Sequence, residues 1–277
     1  MPNLETLYGV SDRVASITLN RPDKLNAWTA VMESEVRGHF THAEKDENVR
    51  VIVLTGAGRG FCAGADISLL STVAEKGLDD RGREQATKVP AGSAKAGVRP
   101  DFSRKYSYFP AIHKPVIAAI NGVDVGLGLV ISLYCDIRFA SDTARFSTAF
   151  SRRGLIAEYG LAWILPRLVG HANALDLLFS ARMVDAAEAQ AMGLVNKVFP
   201  QDVFAAKVNE YAKDLADNVS PRSTRIMKRQ VYDAMFQTLE GAFEESEREM
   251  LLSLQSDDFK EGVAHFLQKR APAFTGK

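Results

Sequence analysis

Glu158 is well placed for acid–base chemistry, because it lies in the otherwise apolar run LIAEYGLAW. A carboxylate against an apolar wall is harder to ionise, so its pKa rises towards neutral pH, where a general base works best. The apolar neighbours that would form this wall are Ile156, Ala157, Leu161 and Trp163. The alternative is a structural ion pair with Arg152 or Arg153, at the rim of a helix.

Two glycine-rich loops follow predicted strands and could bind negative charge through their backbone. The first is GAGRGFCAGADI at residues 56–67; the second, NGVDVGLG, starts at Asn121 and leads into an apolar helix from about Leu127. Glycine lets a chain turn sharply with its N–H groups outward, and N–H groups at a helix N-terminus stabilise an anion. Such loops after neighbouring strands can give one N–H each to a developing oxyanion. The first loop also fits an ordinary strand-to-helix turn, and it matches neither a phosphate loop nor a dinucleotide fingerprint.

The composition predicts a cytoplasmic protein that acts on a small molecule. Its 277 residues are 46% hydrophobic, enough for one large domain or one domain with an appended helical part. The 34 basic and 34 acidic residues cancel, which disfavours nucleic acid or an anionic membrane as a partner. Cys62 and Cys135 lie in apolar contexts, as in a reducing compartment.

The sequence predicts no secretory signal, no membrane span and no metal site. The N-terminus lacks the apolar segment of a secretory signal, and the longest apolar run, residues 125–135, is shorter than the roughly 18 residues of a membrane span. Cysteines and histidines do not have zinc spacing, and the carboxylates do not cluster as metal ligands.

The order of predicted elements indicates an α/β core. Strands are predicted over Val14–Asn20, Val49–Gly56 and Lys114–Gly122, and a helix over Thr29–Asp46. The charged, glycine-rich segment Ser71–Lys105 is predicted to be a long mobile flap over a site.

From Pro166 onward the chain is predicted to be helical. Asp185 with Glu188 has the pattern of a helix cap, and Ser220 followed by proline is typical of a helix start. Acidic residues at 257 and 258 and basic residues at 269 and 270 match the dipole of a further helix.

The chain resembles the enoyl-CoA hydratase/isomerase (crotonase) superfamily along nearly its whole length. The segments that carry the resemblance together are LNRPDKLNAW, GRGFCAGADI, KPVIAAINGVDVGLG, CDIRFAS, LPRLVG, GLVNKVF and AHFLQKRAPAF. The resemblance implies an α/β, crotonase-like spiral of β-β-α units over residues 1–200 and a C-terminal helical trimerisation region over residues 201–277. It also implies a homotrimer or dimer of trimers that binds an acyl-CoA thioester, without a metal or redox cofactor.

The resemblance also assigns binding roles. The backbone N–H groups of Ala65 and Leu127 would hold the thioester oxygen; the family usually has glycine at the second position. Coenzyme A would lie along Lys24, Leu25, Ala27, Ala63, Ala65, Asp66 and Ile67. Phe266 and Lys269 would approach its adenosine end, often from a neighbouring subunit. A solvated helix C-terminus is the alternative for Lys269.

The sequence departs from the hydratases of this superfamily at their two catalytic glutamates. By motif position these residues are Val130 and Phe150, neither of which can carry a proton. Glu158 has a position similar to that of the single acidic residue of the family's isomerases, and one carboxylate suffices to move a double bond. The favoured reaction is therefore Δ3,Δ2-enoyl-CoA isomerisation. Hydration, dehydration or hydrolysis with Glu158 activating water, and non-catalytic acyl-CoA binding, remain alternatives.

Other polar residues are weaker candidates. Asp124 could face the site, but an ordinary turn residue is the favoured interpretation. Tyr159 could hydrogen-bond Glu158 or a substrate. Asp66 and Asp136 are expected to cap a helix or fix a loop, and His113 to be a polar residue at a strand entry.

Overall fold

The computed structural model describes residues 4–77 and 98–277, and these residues form two β-sheets. The larger sheet consists of β1 Thr6–Ser11, β2 Val14–Leu19, β3 Val51–Gly56, β5 Val116–Ile120, β7 Ile137–Ser141 and β10 Lys197–Phe199, in that spatial order. The smaller one consists of β4 Gly60–Cys62, β6 Val123–Val125, β8 Arg145–Ser147 and β9 Val184–Asp185. Apart from the antiparallel pairs β1–β2 and β8–β9, neighbouring strands are parallel.

Helices surround these sheets and form the C-terminal part of the chain. Their bounds are α1 Ala30–Lys45, α2 Ile67–Lys76, α3 Leu127–Tyr134, α4 Leu161–Ser180, α5 Ala186–Ala191, α6 Phe204–Asn218, α7 Pro221–Ala234, α8 Leu239–Leu254 and α9 Asp257–Gln268. Within the described ranges, no helix is long and apolar enough to cross a membrane.

The central strands of the larger sheet are covered on both faces, which explains their continuous apolar sequences. Ile52 and Leu54 of β3 belong to the same core cluster as the buried side of α1, whereas Val51 and Val53 pack with α6. Alternation along a strand sends successive side chains to opposite faces. Both faces of β3 are therefore buried from solvent.

Asp136 ties the C-terminal helices to this sheet. Its carboxylate accepts hydrogen bonds from the backbone N–H of Val116 (2.7 Å), Nζ of Lys228 (2.7 Å) and the hydroxyl of Tyr232 (3.0 Å). Lys228 and Tyr232 lie on α7, and a half-buried carboxylate with a cation and several donors is well satisfied. The predicted structural role of Asp136 is confirmed.

Most predicted elements occur close to their expected bounds, and two expectations are wrong in part. The helical stretch expected from Pro166 begins at Leu161. In the predicted flap, residues up to Lys76 continue α2, and residues 100–103 form a short 3-10 helix with Phe102 buried. Residues 78–97 of that flap lie outside the described residues. The helix starts predicted at Asp185, Ser220 and Asp257 are confirmed.

The three C-terminal helices and their flanks expose many apolar side chains. They are Met227, Val231, Phe236, Leu239, Phe243, Met250, Leu251, Leu252, Leu254, Phe259, Val263, Phe266 and Leu267. Apolar surface of this extent usually marks an interface with another protein. The predicted homotrimer or dimer of trimers is compatible with this surface and stays a prediction, as does the division of the chain at residue 200.

Candidate active site

The two glycine-rich loops meet at one edge of the smaller sheet. β4 and β6 pair in parallel, Gly60 with Val123 and Cys62 with Asp124, so the chain leaves both strands on the same side. Gly64 has φ +102°, and a Cβ there would lie 3.1 Å from the carbonyl oxygen of Val125. It would lie 3.8 Å from the backbone nitrogen of Leu127. Only glycine allows this approach without strain.

Two backbone N–H groups are free to bind a ligand at this junction. Trp28 donates to the carbonyl of Gly64 (2.7 Å) and accepts from the N–H of Asp66 (3.0 Å), so the N–H of Ala65 points away from Trp28. Leu127 is the first residue of α3, where a helical N–H has no acceptor in its own helix. In the described part of the chain, neither N–H donates to a protein acceptor. This arrangement can stabilise an oxyanion.

Glu158 lies in the segment that precedes α4 and is half-buried. Partial burial raises the pKa of its carboxyl, in the direction predicted. The alternative ion pair is absent from the described structure: Arg152 donates to the carbonyl of Ser180 and Arg153 to that of Ala149, both at 2.9 Å. The predicted apolar wall is wrong in one respect, since Ile156 is 76% exposed.

Aromatic contacts join Glu158 to the two loops. The hydroxyl of Tyr134, at the end of α3, donates to the carbonyl of Tyr159 (2.8 Å). The ring of Tyr159 meets that of Tyr106 edge to face at 4.7 Å between centroids. Tyr106 in turn lies 6.2 Å from the ring of Trp28, the residue paired with Ala65. Helix α3 therefore carries one donor at its start and supports the Glu158 segment at its end.

A cavity of about 350 Å³ opens beside this segment. Its lining residues are Asp101, Phe102, Arg104, Lys105, Tyr106, Ser107, Tyr134, Tyr159, Gly160, Trp163 and Phe236. Its size is within the range of small-molecule sites, and more than half of its lining residues are aromatic. We call it the ring cavity.

Asp124 is neither a turn residue nor exposed to this cavity, so the favoured interpretation was wrong. It lies on β6 and is fully buried beneath α3. Its Oδ2 accepts a hydrogen bond from Ser132 at 2.6 Å, whereas Oδ1 has no partner within the described ranges. Burial raises the pKa of this carboxyl to about 7.

The structure brings most of the predicted coenzyme A residues together. The loop at residues 21–28 lies against the 60–66 loop, and the N–H of Ala63 donates to the carbonyl of Leu25 (2.9 Å). The predicted residues along this surface are Lys24, Leu25, Ala27, Ala63, Ala65, Asp66 and Ile67. Phe266 and Lys269 lie at the end of α9, and Phe266 is 77% exposed.

Asp66 holds this surface in place, as expected of a helix cap. It accepts from the hydroxyl and backbone N–H of Ser68 and from Arg21, and these hydrogen bonds, led by the Ser68 hydroxyl, lower its pKa to about 2.

His113, outside the site, contacts Glu44 at 3.1 Å. Residues 4–77 and 98–277 contain no group of three or more His, Cys, Asp or Glu side chains placed to hold a metal ion.

The sequence interpretation missed several residues of this site. Asn26 is fully buried with φ +56°, and its side chain bonds Arg21 (2.8 Å), Ala57 (3.0 Å) and Gly60 (2.8 Å). Asparagine tolerates left-handed backbone, and this preference was an available signal. Tyr134 follows Leu127 by seven residues, a spacing that places both on one helix face. Tyr106 had no such signal.

Comparison with known proteins agrees with this fold. The family model for enoyl-CoA hydratase/isomerase matches residues 9–277. The 1,2-epoxyphenylacetyl-CoA isomerase of Escherichia coli (strain K12) is 33% identical over 271 residues, 98% of each chain. A probable enoyl-CoA hydratase of Mycobacterium leprae (strain TN) is 34% identical over 266 residues, 95% of each.

Solved structures give the same result. The crystal structure of an enoyl-CoA hydratase from Bacillus anthracis has a TM-score of 0.86 at 28% identity and covers 99% of this chain and 100% of its own. An enoyl-CoA hydratase subunit from Geobacillus kaustophilus HTA426 has a TM-score of 0.85 at 32% identity, covering 99% and 98%. The protein therefore has the α/β crotonase fold, as predicted. It belongs to the enoyl-CoA hydratase/isomerase family.

Proposed function

We propose that this enzyme moves the double bond of a 3-enoyl-CoA thioester to C2, with Glu158 as its single proton carrier. The observation that carries the proposal is the contrast between three positions. Glu158 directly precedes Tyr159 and Gly160, which line the ring cavity, and it has a raised pKa and no ion-pair partner in the described structure. Val130 and Phe150, at the positions of the two hydratase glutamates, are buried in the hydrophobic core.

The proposed reaction needs one base and one oxyanion site. The Glu158 carboxylate removes a proton from C2, and the C–H electron pair forms the C1–C2 double bond of a dienolate. The N–H groups of Ala65 and Leu127 hold the negative oxygen; such a donor is typically worth about 10²–10³ in rate. As the carbonyl re-forms, the electrons of the former C3–C4 double bond take the proton from Glu158 at C4. The electron pair of the dienolate C1–C2 double bond moves to form the C2–C3 double bond, and the carboxylate is regenerated.

The proposed position of the thioester also suggests where coenzyme A binds. The coenzyme A moiety would lie along the surface of Leu25, Ala63 and Ile67, with Lys24 exposed beside it. Phe266 and Lys269 would reach its adenosine end from a neighbouring subunit of the trimer. Because the reaction moves a proton and no net electrons, it calls for no redox cofactor, and we propose that none is used.

Hydration with Glu158 activating water is the second candidate function. The name of the Mycobacterium leprae relative, a probable enoyl-CoA hydratase, supports it, whereas the name of the Escherichia coli relative, an isomerase, supports the first. Hydration also needs an acid that protonates C2, and Tyr159, next to Glu158, is the candidate for this acid.

The deciding experiment follows 3-enoyl-CoA and 2-enoyl-CoA of one chain length by absorbance and mass. We expect the 3-enoyl thioester to become the 2-enoyl form without a mass change. Glu158→Gln should lower kcat by about 10²–10⁴, the usual contribution of a general base. Glu247→Gln, at an exposed position on α8, is the matched control and should turn over at the wild-type rate. Full activity of Glu158→Gln would rule out the single-base mechanism, and gain of one water would establish hydration.

A further inference from the structure

We propose that the acyl group of the substrate ends in an aromatic ring that occupies the ring cavity. The inference rests on the proposed function for the position of the thioester, since Tyr159 and Gly160 of the cavity wall directly follow Glu158. It concerns the far end of the acyl chain, which the reaction at C2 and C4 does not specify.

The walls of the ring cavity are aromatic side chains that hold one another in place. Tyr106 and Tyr159 meet edge to face at 4.7 Å, with an angle of 89° between the rings. On another wall Trp163 stacks on Phe236 at 5.4 Å and 16°, and Phe102 meets Phe236 at 5.9 Å and 73°. Because each ring packs against another ring, the shape of the cavity exists before a ligand binds. A preformed pocket favours a rigid, flat ligand over a flexible chain, which must lose freedom on binding.

The polar atoms of these walls are mostly occupied by protein partners. The hydroxyl of Tyr106 donates to Glu33 (3.2 Å) and that of Tyr134 donates to the carbonyl of Tyr159 (2.8 Å). Lys105 pairs with the same Glu33 carboxylate at 3.0 Å. Apart from the hydroxyl of Tyr159, the surfaces left for a ligand are therefore mainly ring faces and edges, to which another aromatic ring binds in edge-to-face or offset geometry.

The remaining charges lie towards solvent. Asp101 pairs with Arg99 at 3.3 Å, and Arg104 is exposed. The volume of about 350 Å³ has room for a phenyl ring with a short methylene link. An apolar aromatic end fits the interior better than a charged or hydroxylated one, which would leave a buried polar group without a partner.

The test compares two saturated thioesters with the same number of carbons, 5-phenylpentanoyl-CoA and undecanoyl-CoA, by calorimetric titration. We expect the phenyl compound to bind about tenfold more tightly. Trp163→Leu should reduce this preference to about threefold or less, and Trp163→Phe should keep most of it. Phe236→Leu removes a ring from the same wall at a partly exposed position and should reduce the phenyl preference as Trp163→Leu does. The test therefore stands even if one of the two variants folds poorly.

The outcomes separate this inference from the proposed reaction, because binding of a saturated thioester does not need the base. Glu158→Gln should bind both compounds with the wild-type preference. Equal or tighter binding of undecanoyl-CoA, or an unchanged preference in both leucine variants, would overturn the inference. A phenyl preference in an enzyme that does not isomerise 5-phenylpent-3-enoyl-CoA would support the ring site and contradict the proposed reaction.

Discussion

The hydroxyl of Ser132 lies 2.6 Å from Oδ2 of Asp124 and 3.0 Å from the carbonyl oxygen of Leu129. A serine hydroxyl has one proton and can donate to only one of these oxygens. The shorter contact is the hydrogen bond that Ser132 donates to Oδ2 of Asp124. This bond favours the ionised carboxyl, but burial outweighs it and raises the pKa of Asp124 to about 7. Asp124 thus changes charge near neutral pH directly beneath the start of α3, which carries the Leu127 N–H.

Replacement of Asp124 by asparagine should change the pH dependence of stability. The pKa of Asp124 is about 7 in the folded protein and close to 3.8 when unfolded, so the folded state binds the proton more tightly. Its stabilising contribution is complete below pH ~4 and is lost as the pH rises through about 7. Each pKa unit is worth about 1.4 kcal/mol, so wild type should lose a few kcal/mol relative to Asp124→Asn between these pH values.

Urea unfolding at a series of pH values measures this difference. The other titrating groups are common to both proteins, so the difference between the two curves isolates Asp124. The charge of Asp124 acts on Cys62 and Cys135, but both thiols keep their protons over this pH range, because burial raises the pKa of Cys62 to about 12 and that of Cys135 well above its usual value. Parallel curves would show that Asp124 is ionised in the folded protein at pH 5.

Gly128→Ala should displace the oxyanion site. A Cβ at Gly128 would lie 2.7 Å from Cβ of Cys62 and 2.8 Å from Oδ1 of Asp124, so the start of α3 must move. Because Leu127 is the preceding residue, its N–H moves as well. We expect kcat to fall by about 10²-fold, the value of one oxyanion donor, with a smaller change in KM.

Gly38→Ala is the matched control for this substitution. Gly38 is an exposed glycine within α1, and a Cβ there has no atom within 4 Å. Alanine should stabilise the helix by about 0.5–1 kcal/mol and leave turnover unchanged. Wild-type kcat in Gly128→Ala would mean that α3 accommodates the methyl group without moving the donor.

The sequence predicted the parts of this molecule that local periodicity and glycine determine. The strand at Val14, the helix after Thr29 and the two glycine loops follow from apolar spacing and backbone freedom, which neighbouring residues carry. Glu158 was recognisable because a carboxylate in an apolar run is conspicuous. All of these signals are local in the chain.

The ring cavity and the burial of Asp124 were not predictable from local patterns. The cavity combines Tyr106, Tyr159 and Phe236 from distant parts of the chain, so its existence depends on tertiary packing. Asp124 lies in the segment GVDVG, whose composition is typical of a turn. Pairing of β6 between β4 and β8 instead places it beneath α3. Tertiary contacts here override the local preference of aspartate for turns.

Asn26→Ala should weaken both the fold and the coenzyme A surface. The Asn26 side chain joins Arg21 on its own loop to the carbonyls of Ala57 and Gly60 on the facing loop. Its loss leaves buried groups unsatisfied, at about 1–3 kcal/mol, and lets the two loops separate. We expect a lower unfolding midpoint in urea and a several-fold higher KM for acyl-CoA, with a smaller change in kcat. Asn48→Ala, at an exposed position, should behave as wild type, and an unchanged KM in Asn26→Ala would separate this loop from coenzyme A binding.

Tyr134→Phe should shift the pH dependence of turnover through Glu158. The Tyr134 hydroxyl holds the carbonyl of Tyr159, a residue with φ +52° next to Glu158. Without this bond, worth about 1 kcal/mol, the segment loosens and water reaches the carboxylate. The pKa of Glu158, raised by burial, should then fall towards its ordinary value.

Isomerisation requires Glu158 in its ionised form, so kcat/KM decreases as the pH falls through this pKa. The acidic limb of the Tyr134→Phe profile should therefore lie at lower pH than that of wild type, while the plateau falls by about three- to tenfold because the base is less well positioned. Tyr211→Phe, on α6 against Phe139, removes a hydroxyl far from the site and should leave both features unchanged. A plateau that falls without movement of the acidic limb would mean that Tyr134 supports the fold of this segment but not the environment of Glu158.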